Sequence, residues 1–105
     1  MNQEELQVAA FEIILNSGNA RATVHEAFSA MREGHYDEAE EKLDLANTEL
    51  VEAHRAQTKL LQDYASGIEM KMEIIMVHAQ DHLMTTMTLR EVALEMLNLY
   101  RKIEQ

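Results

Sequence analysis

Three residues in the second half of the chain combine reactive side chains with a spacing that brings them together: His78, Asp81 and His82. Positions i, i+3 and i+4 share one stripe of an α-helix, so two imidazoles and a carboxylate would line up along a single turn. The sixteen residues from Ile74 to Leu89 carry no other formal charge. Taking such groups out of water is costly unless they are paired. A lone histidine on an apolar face is ordinarily a satisfied core residue. A His-Asp-His set in an otherwise uncharged window marks a site, because functional sites break the local burial rule.

The chemistry narrows by elimination. A zinc protease needs His-Glu-x-x-His, and His78-Ala79-Gln80-Asp81-His82 places Ala79 where the general base would stand. Di-iron bundles need Glu-x-x-His pairs, but the residues three before each histidine are Ala22, Arg32, Val51, Ile75 and Ala79. The chain has no Cys, which removes thiol nucleophiles and thiolate metal sites. It has no Gly-x-x-x-x-Gly-Lys loop for a nucleotide. A structural metal site of two His and one Asp remains open. So does phosphoryl transfer through histidine, since a neutral imidazole is a competent nucleophile near pH 7. Of the other histidines, His35 flanks a turn and is expected at the surface, His25 is read as a bystander, and His54 as a structural hydrogen-bonding residue.

The elements that must position this set are helices. The 105 residues include no Pro and three Gly, and the length bounds one domain, 1–105. Apolar residues recur four and three apart in three runs, the heptad seam of nearly parallel or antiparallel helices. The first is Leu6, Ala10, Ile13, Ser17, Ala20, Val24, Ala27 and Met31. The second is Tyr36, Ala39, Leu43, Ala46, Leu50, Ala53, Gln57, Leu60 and Tyr64. The third is Ile68, Met72, Ile75, Ala79, His82, Thr86, Leu89, Ala93, Met96, Tyr100 and Ile103. Gly34 and Gly67 read as helix ends, and Gly18, inside the pattern, as a close-packing point or kink. Asn2 with Glu5, and Asp37 with Glu40, read as capping boxes. The expectation is an all-α, up-down-up three-helix bundle with helices over about 3–32, 37–65 and 69–104.

Charge separates the helices. From Tyr36 to Tyr64 there are eight acids and three bases, half of the net charge of −10. Such a surface repels phosphate backbones and anionic lipid, so nucleic acid and membrane are excluded as partners. The acidic N-terminus is unlike a secretion signal, and no stretch approaches the ~18 apolar residues of a membrane span, so a cytoplasmic location is expected. The third helix is instead apolar on nearly every side and carries six of the eight methionines: Met70, Met72, Met76, Met84, Met87 and Met96. Two neighbours can cover only part of it, so self-association through that helix is expected.

The segment Val77-His78-Ala79-Gln80-Asp81-His82-Leu83-Met84-Thr85 resembles the signature of the lactose/cellobiose-type enzyme IIA of the bacterial phosphoenolpyruvate-dependent sugar phosphotransferase system. Asn16-Ser17-Gly18-Asn19-Ala20-Arg21 and Glu52-Ala53-His54, followed by Gln57-Thr58, extend the likeness along the chain. The resemblance implies a cytoplasmic phosphocarrier that takes a phosphoryl group from phospho-HPr and passes it to a cysteine of a cognate enzyme IIB, for uptake of a sugar by a membrane enzyme IIC. It implies His78 as the phosphorylated residue, through the ring nitrogen far from the backbone, with Gln80 and His82 in supporting places. It further implies a homotrimer, a nine-helix bundle, with a divalent metal ion, magnesium (Mg2+) in the first instance, held on the three-fold axis by Asp81. Three such carboxylates would repel one another, so a cation or shared protons must neutralise them. Asn-Ser-Gly with Gln-Thr-Lys-Leu places the chain nearer the cellobiose or chitobiose branch than the lactose one. The rival reading from another class is a non-enzymatic helical-bundle interaction protein, with these residues as an interface metal site or buried polar contacts.

Overall fold

The computed structural model describes residues 2–104. It holds three helices, α1 (Gln3–Arg32), α2 (Tyr36–Ala65) and α3 (Ile74–Glu104), laid side by side in a bundle 54 × 20 × 18 Å. The bounds of α1 are those the sequence predicts. Asn2 caps its start, Oδ1 accepting from the Glu5 amide at 2.8 Å, which is one half of the expected capping box. Gly34, at φ 80°, turns the chain out at its end, and the His35 amide closes onto the Ala30 carbonyl at 2.9 Å.

The second capping box does not form. Helix α2 begins one residue earlier than expected, and His35 at its N-cap makes no side-chain cap bond. Arg101, arriving from α3, uses the expected box residues instead: its Nη2 donates to Asp37 Oδ1 at 3.0 Å and its Nη1 to Glu40 Oε1 at 3.3 Å. A tertiary contact thus replaces the local cap.

The start of the third helix also differs. It begins at Ile74, not at 69. Gly67, at φ 93°, and the Ile68 amide, which donates to the Asp63 carbonyl at 3.1 Å, terminate α2. The chain must then cross the end of the bundle before a third helix can start, and residues 68–73 do so without regular structure. Ile68, Met70 and Met72 therefore lie in this connection and not on α3. Met70 packs back onto the core, whereas Ile68 and Met72 are exposed.

All eight seam positions expected on α1 are buried. On α2, Ala39, Leu43, Ala46, Leu50, Ala53 and Leu60 are buried, Tyr36 and Gln57 are half-buried, and Tyr64 is exposed. The alanines let the helix axes approach closely. On α3 the buried line is Met76, Ala79, Leu83, Thr86, Ala93 and Leu97. The expected seam named Ile75, His82, Leu89 and Met96, which are at most half-buried. Ala79, Thr86 and Ala93 are buried as expected, while Met76, Leu83 and Leu97 take the places of Ile75, His82 and Met96. The buried line is thus turned by part of a residue step, and His82 stands at the flank of the core. Burying side chains such as Leu83 and Leu97 contributes about 1.5–3 kcal/mol each.

The outer side of α3 carries Ile74, Val77, Met84, Val92, Leu99 and Ile103 in the open, Ile74 with 89% of its surface exposed. This is the uncovered apolar face that the sequence predicts. Among the described residues no helix is long and apolar enough to cross a membrane.

Candidate functional site

Helix α3 sets His78, Asp81 and His82 on adjoining stripes near its N-terminal end. The imidazoles of His78 and His82, one turn apart, lie nearly parallel, with ring centroids 6.0 Å apart and planes inclined by 18°. That separation is ordinary for stacked rings and too long for a hydrogen bond between them. The His78 ring is exposed, whereas His82 is half-buried with its Nε2 directed at α1.

Two hydroxyls follow on the same helix. Thr86 Oγ1 donates to the His82 carbonyl at 2.7 Å, and Thr85 Oγ1 to the Asp81 carbonyl at 2.7 Å. Both are the i to i−4 back-bonds open to a helical Thr, and at Thr86 the bond satisfies a hydroxyl that burial would otherwise strand. Thr86 is fully buried, so its bond ties the His82 peptide into the core packing.

Asp81 is exposed and falls within the apolar line of Val77 and Met84. Among the described residues nothing donates to or ion-pairs with its carboxylate. One chain brings together no group of three His, Cys, Asp or Glu, among those residues, that could hold a metal ion. A single carboxylate on an exposed apolar face does not make a complete cation site within one chain.

Gln80 is not gathered with the imidazoles. Two residues along a helix turn it to the other side, where it lines a groove of about 380 Å³ with Leu6, Leu60, Tyr64, Met70 and Met76. The remaining histidines lie elsewhere. His25 rests against Phe28, His35 sits at the α1–α2 turn within 3.6 Å of Glu33 and Glu38, and His54 Nδ1 is 3.4 Å from Thr58 Oγ1. All three are exposed, His35 as expected of a residue that flanks a turn.

Gly18 of α1 lies across from His82. Helix α1 runs through it unbroken, and a Cβ built there would stand 3.7 Å from His82 Nε2. The sequence signal was a glycine interrupting a helical pattern. Its partner emerges only from the packing.

The fold and the site together define a small three-helix protein that sets the His78 imidazole out on an exposed, largely apolar helix face, with His82 half-buried beside it. The chain belongs to the lactose/cellobiose-specific IIA subunit family of the sugar phosphotransferase system, whose model matches residues 8–101. It is therefore a phosphotransferase component, one that carries phosphoryl groups. It is 45% identical to the lichenan-specific phosphotransferase enzyme IIA component of Bacillus subtilis, over 97% of this chain and 93% of that one. The crystal structure of PtcA from S. mutans superposes with a TM-score of 0.96 at 77% identity, covering 96% of this chain and 99% of that one. The Escherichia coli IIA(Chitobiose), solved in complex with HPr, superposes at 0.82 with 36% identity, covering 95% and 97%.

Proposed function

We propose that His78 accepts a phosphoryl group from phospho-HPr and passes it to a cysteine of a cognate enzyme IIB. In the first step the lone pair of His78 Nε2 forms a bond to phosphorus while the bond from phosphorus to the donor's imidazole nitrogen breaks, its electron pair returning to that ring. In the second, a cysteine thiolate of the acceptor forms a bond to phosphorus and the P–N bond at His78 breaks, restoring a neutral imidazole. Little covalent chemistry is asked of the remaining residues, so positioning carries the catalysis.

The observation that carries this reading is the exposed His78 ring, stacked on His82 and free of hydrogen-bond partners among the described residues. A donor protein has open access to it. HPr as donor is supported by the complex of the similar E. coli protein. His82 holds the plane of the reacting ring, and an N–H of its imidazole is a suitable donor to a phosphoryl oxygen. Gln80, on the other side of the helix, lines the groove there.

The uncovered side of α3 supports assembly as a homotrimer, in which three α3 helices bury Val77, Met84, Val92 and Leu99 against one another. Asp81 of each copy then faces the axis, where a divalent cation, magnesium by its preference for hard oxygen, would neutralise the three carboxylates. The transported sugar, chosen by the membrane component, is a disaccharide of the cellobiose or chitobiose type or a related β-glucoside, with a cytoplasmic location for this carrier.

Transfer tests the reading. Mixed with radiolabelled phospho-HPr, the chain should take up the label and release it when a cognate IIB is added, and its absence from the chain after mixing overturns the proposal.

A further inference from the structure

We propose that Gly18 is a positioning residue for His78, acting through His82. Nothing in the backbone of α1 calls for glycine here, since the helix continues through it and its φ is not positive. Glycine inside a helix is unfavourable relative to alanine, and a Cβ alone would fit across the interface, so what the contact there restricts is bulk beyond a methyl group. What lies there is His82: its Nε2 is the sole atom within 4 Å of a Cβ built at position 18, outside α1 itself. The neighbouring α1 residues on this face, Ser17 and Ala20, are small and fully buried, and the Ser17 hydroxyl has no hydrogen-bond partner among the described residues.

The low floor at Gly18 lets the His82 ring lie between α1 and the exposed His78 ring. On its other side the His82 peptide is fixed by Thr86. The reacting ring thus rests on a ring that itself rests on bare backbone. Alanine at 18 would meet His82 at ordinary contact distance. A branched side chain would take the space of the imidazole, forcing His82 to another rotamer and removing the stack beneath His78.

This inference rests on His78 as the phosphoryl acceptor, and its test separates the two. Four variants are compared: Gly18→Ala, Gly18→Val, His82→Ala and the double variant Gly18→Val with His82→Ala. Each is measured for the imidazole nitrogen and carbon resonances of His78 and for the rate of phosphoryl uptake from phospho-HPr. Gly18→Ala should leave both near wild type. Gly18→Val should shift the His78 ring resonances and slow uptake on the order of tenfold to a hundredfold, the scale of a misplaced reacting group. In the His82→Ala background Gly18→Val should cost nothing further, because the clash has no target. Should Gly18→Val fail to fold alone yet fold in the double variant, the clash is likewise located at His82. Unchanged resonances and rate in Gly18→Val, an equal extra loss in the His82→Ala background, or misfolding of both valine variants overturns the proposal. Uptake that persists in His78→Ala instead defeats the acceptor assignment, while the ring resonances still judge the Gly18 contact.

Discussion

The rings of His78 and His82 stand 6.0 Å apart, 18° from parallel, with one ring exposed and the other half-buried against α1. The two histidines of the His-Ala-Gln-Asp-His segment therefore have different surroundings despite their near-identical helix positions. His82 is held by packing and by the Thr86 bond to its carbonyl, whereas His78 is free to meet another molecule. That asymmetry supports the proposed roles, with the exposed ring reactive and the sheltered one its support.

Leu83 and Met84 are adjacent, yet Leu83 is fully buried and Met84 is 53% exposed. Leu83→Ala should cost about 2–5 kcal/mol of unfolding free energy, because it removes contacts and leaves a cavity. Met84→Ala should stay within about 0.5 kcal/mol for the isolated chain. Denaturant unfolding at a concentration low enough to hold the chain monomeric measures both. Sedimentation at higher concentration should show weaker association for Met84→Ala.

The carboxylate of Asp81 lies in the same exposed line, and Asp81→Leu should yield a trimer that no longer depends on a divalent cation. Sedimentation velocity with and without chelator checks this. The wild type should shift toward smaller species when the cation is removed, and the variant should not. Identical profiles for both chains under both conditions contradict the axial role.

How legible these features were depended on how local their causes are. On α2 apolar and polar residues separate most cleanly, so the line from Ala39 to Leu60 names the buried face. On α1 the seam from Leu6 to Met31 is buried, although Val8, Phe11 and Leu15 leave apolar side chains exposed on the same helix. Helix α3 is apolar nearly all round, and periodicity cannot choose between a line through Ile75, His82 and Met96 and one through Met76, Leu83 and Leu97. Packing on two neighbours makes that choice. The run from Ile68 to Glu73 continues a helical pattern, and only the need to cross the bundle end keeps it irregular. The His78, Asp81 and His82 set could be read from spacing and from the lack of other charges around it. The contact of His82 with Gly18 joins residues far apart in the chain, so sequence offered no more than an unexplained glycine.

Lys42 and Glu26 form the α1–α2 ion pair at 3.0 Å, and the hydrogen bond from Lys42 to that carboxylate, with its charge, raises the ammonium above its ordinary value of 10.5. A raised folded-state value means the pair's contribution is fully present below the unfolded value and fades as pH rises through the folded one. The stability difference between wild type and Lys42→Met should accordingly shrink at strongly alkaline pH. In an NMR titration of the Lys42 side chain, Glu26→Gln should lower the midpoint.

The most direct measurement is the location of the phosphoryl group. Incubation with phosphoenolpyruvate, enzyme I and HPr, followed by peptide mapping under alkaline conditions, should find one acid-labile phosphoryl group per chain, on His78. His25→Ala and His54→Ala should retain it, and His78→Ala should carry none. Phosphoryl groups found at full yield on the His78→Ala chain would contradict the account.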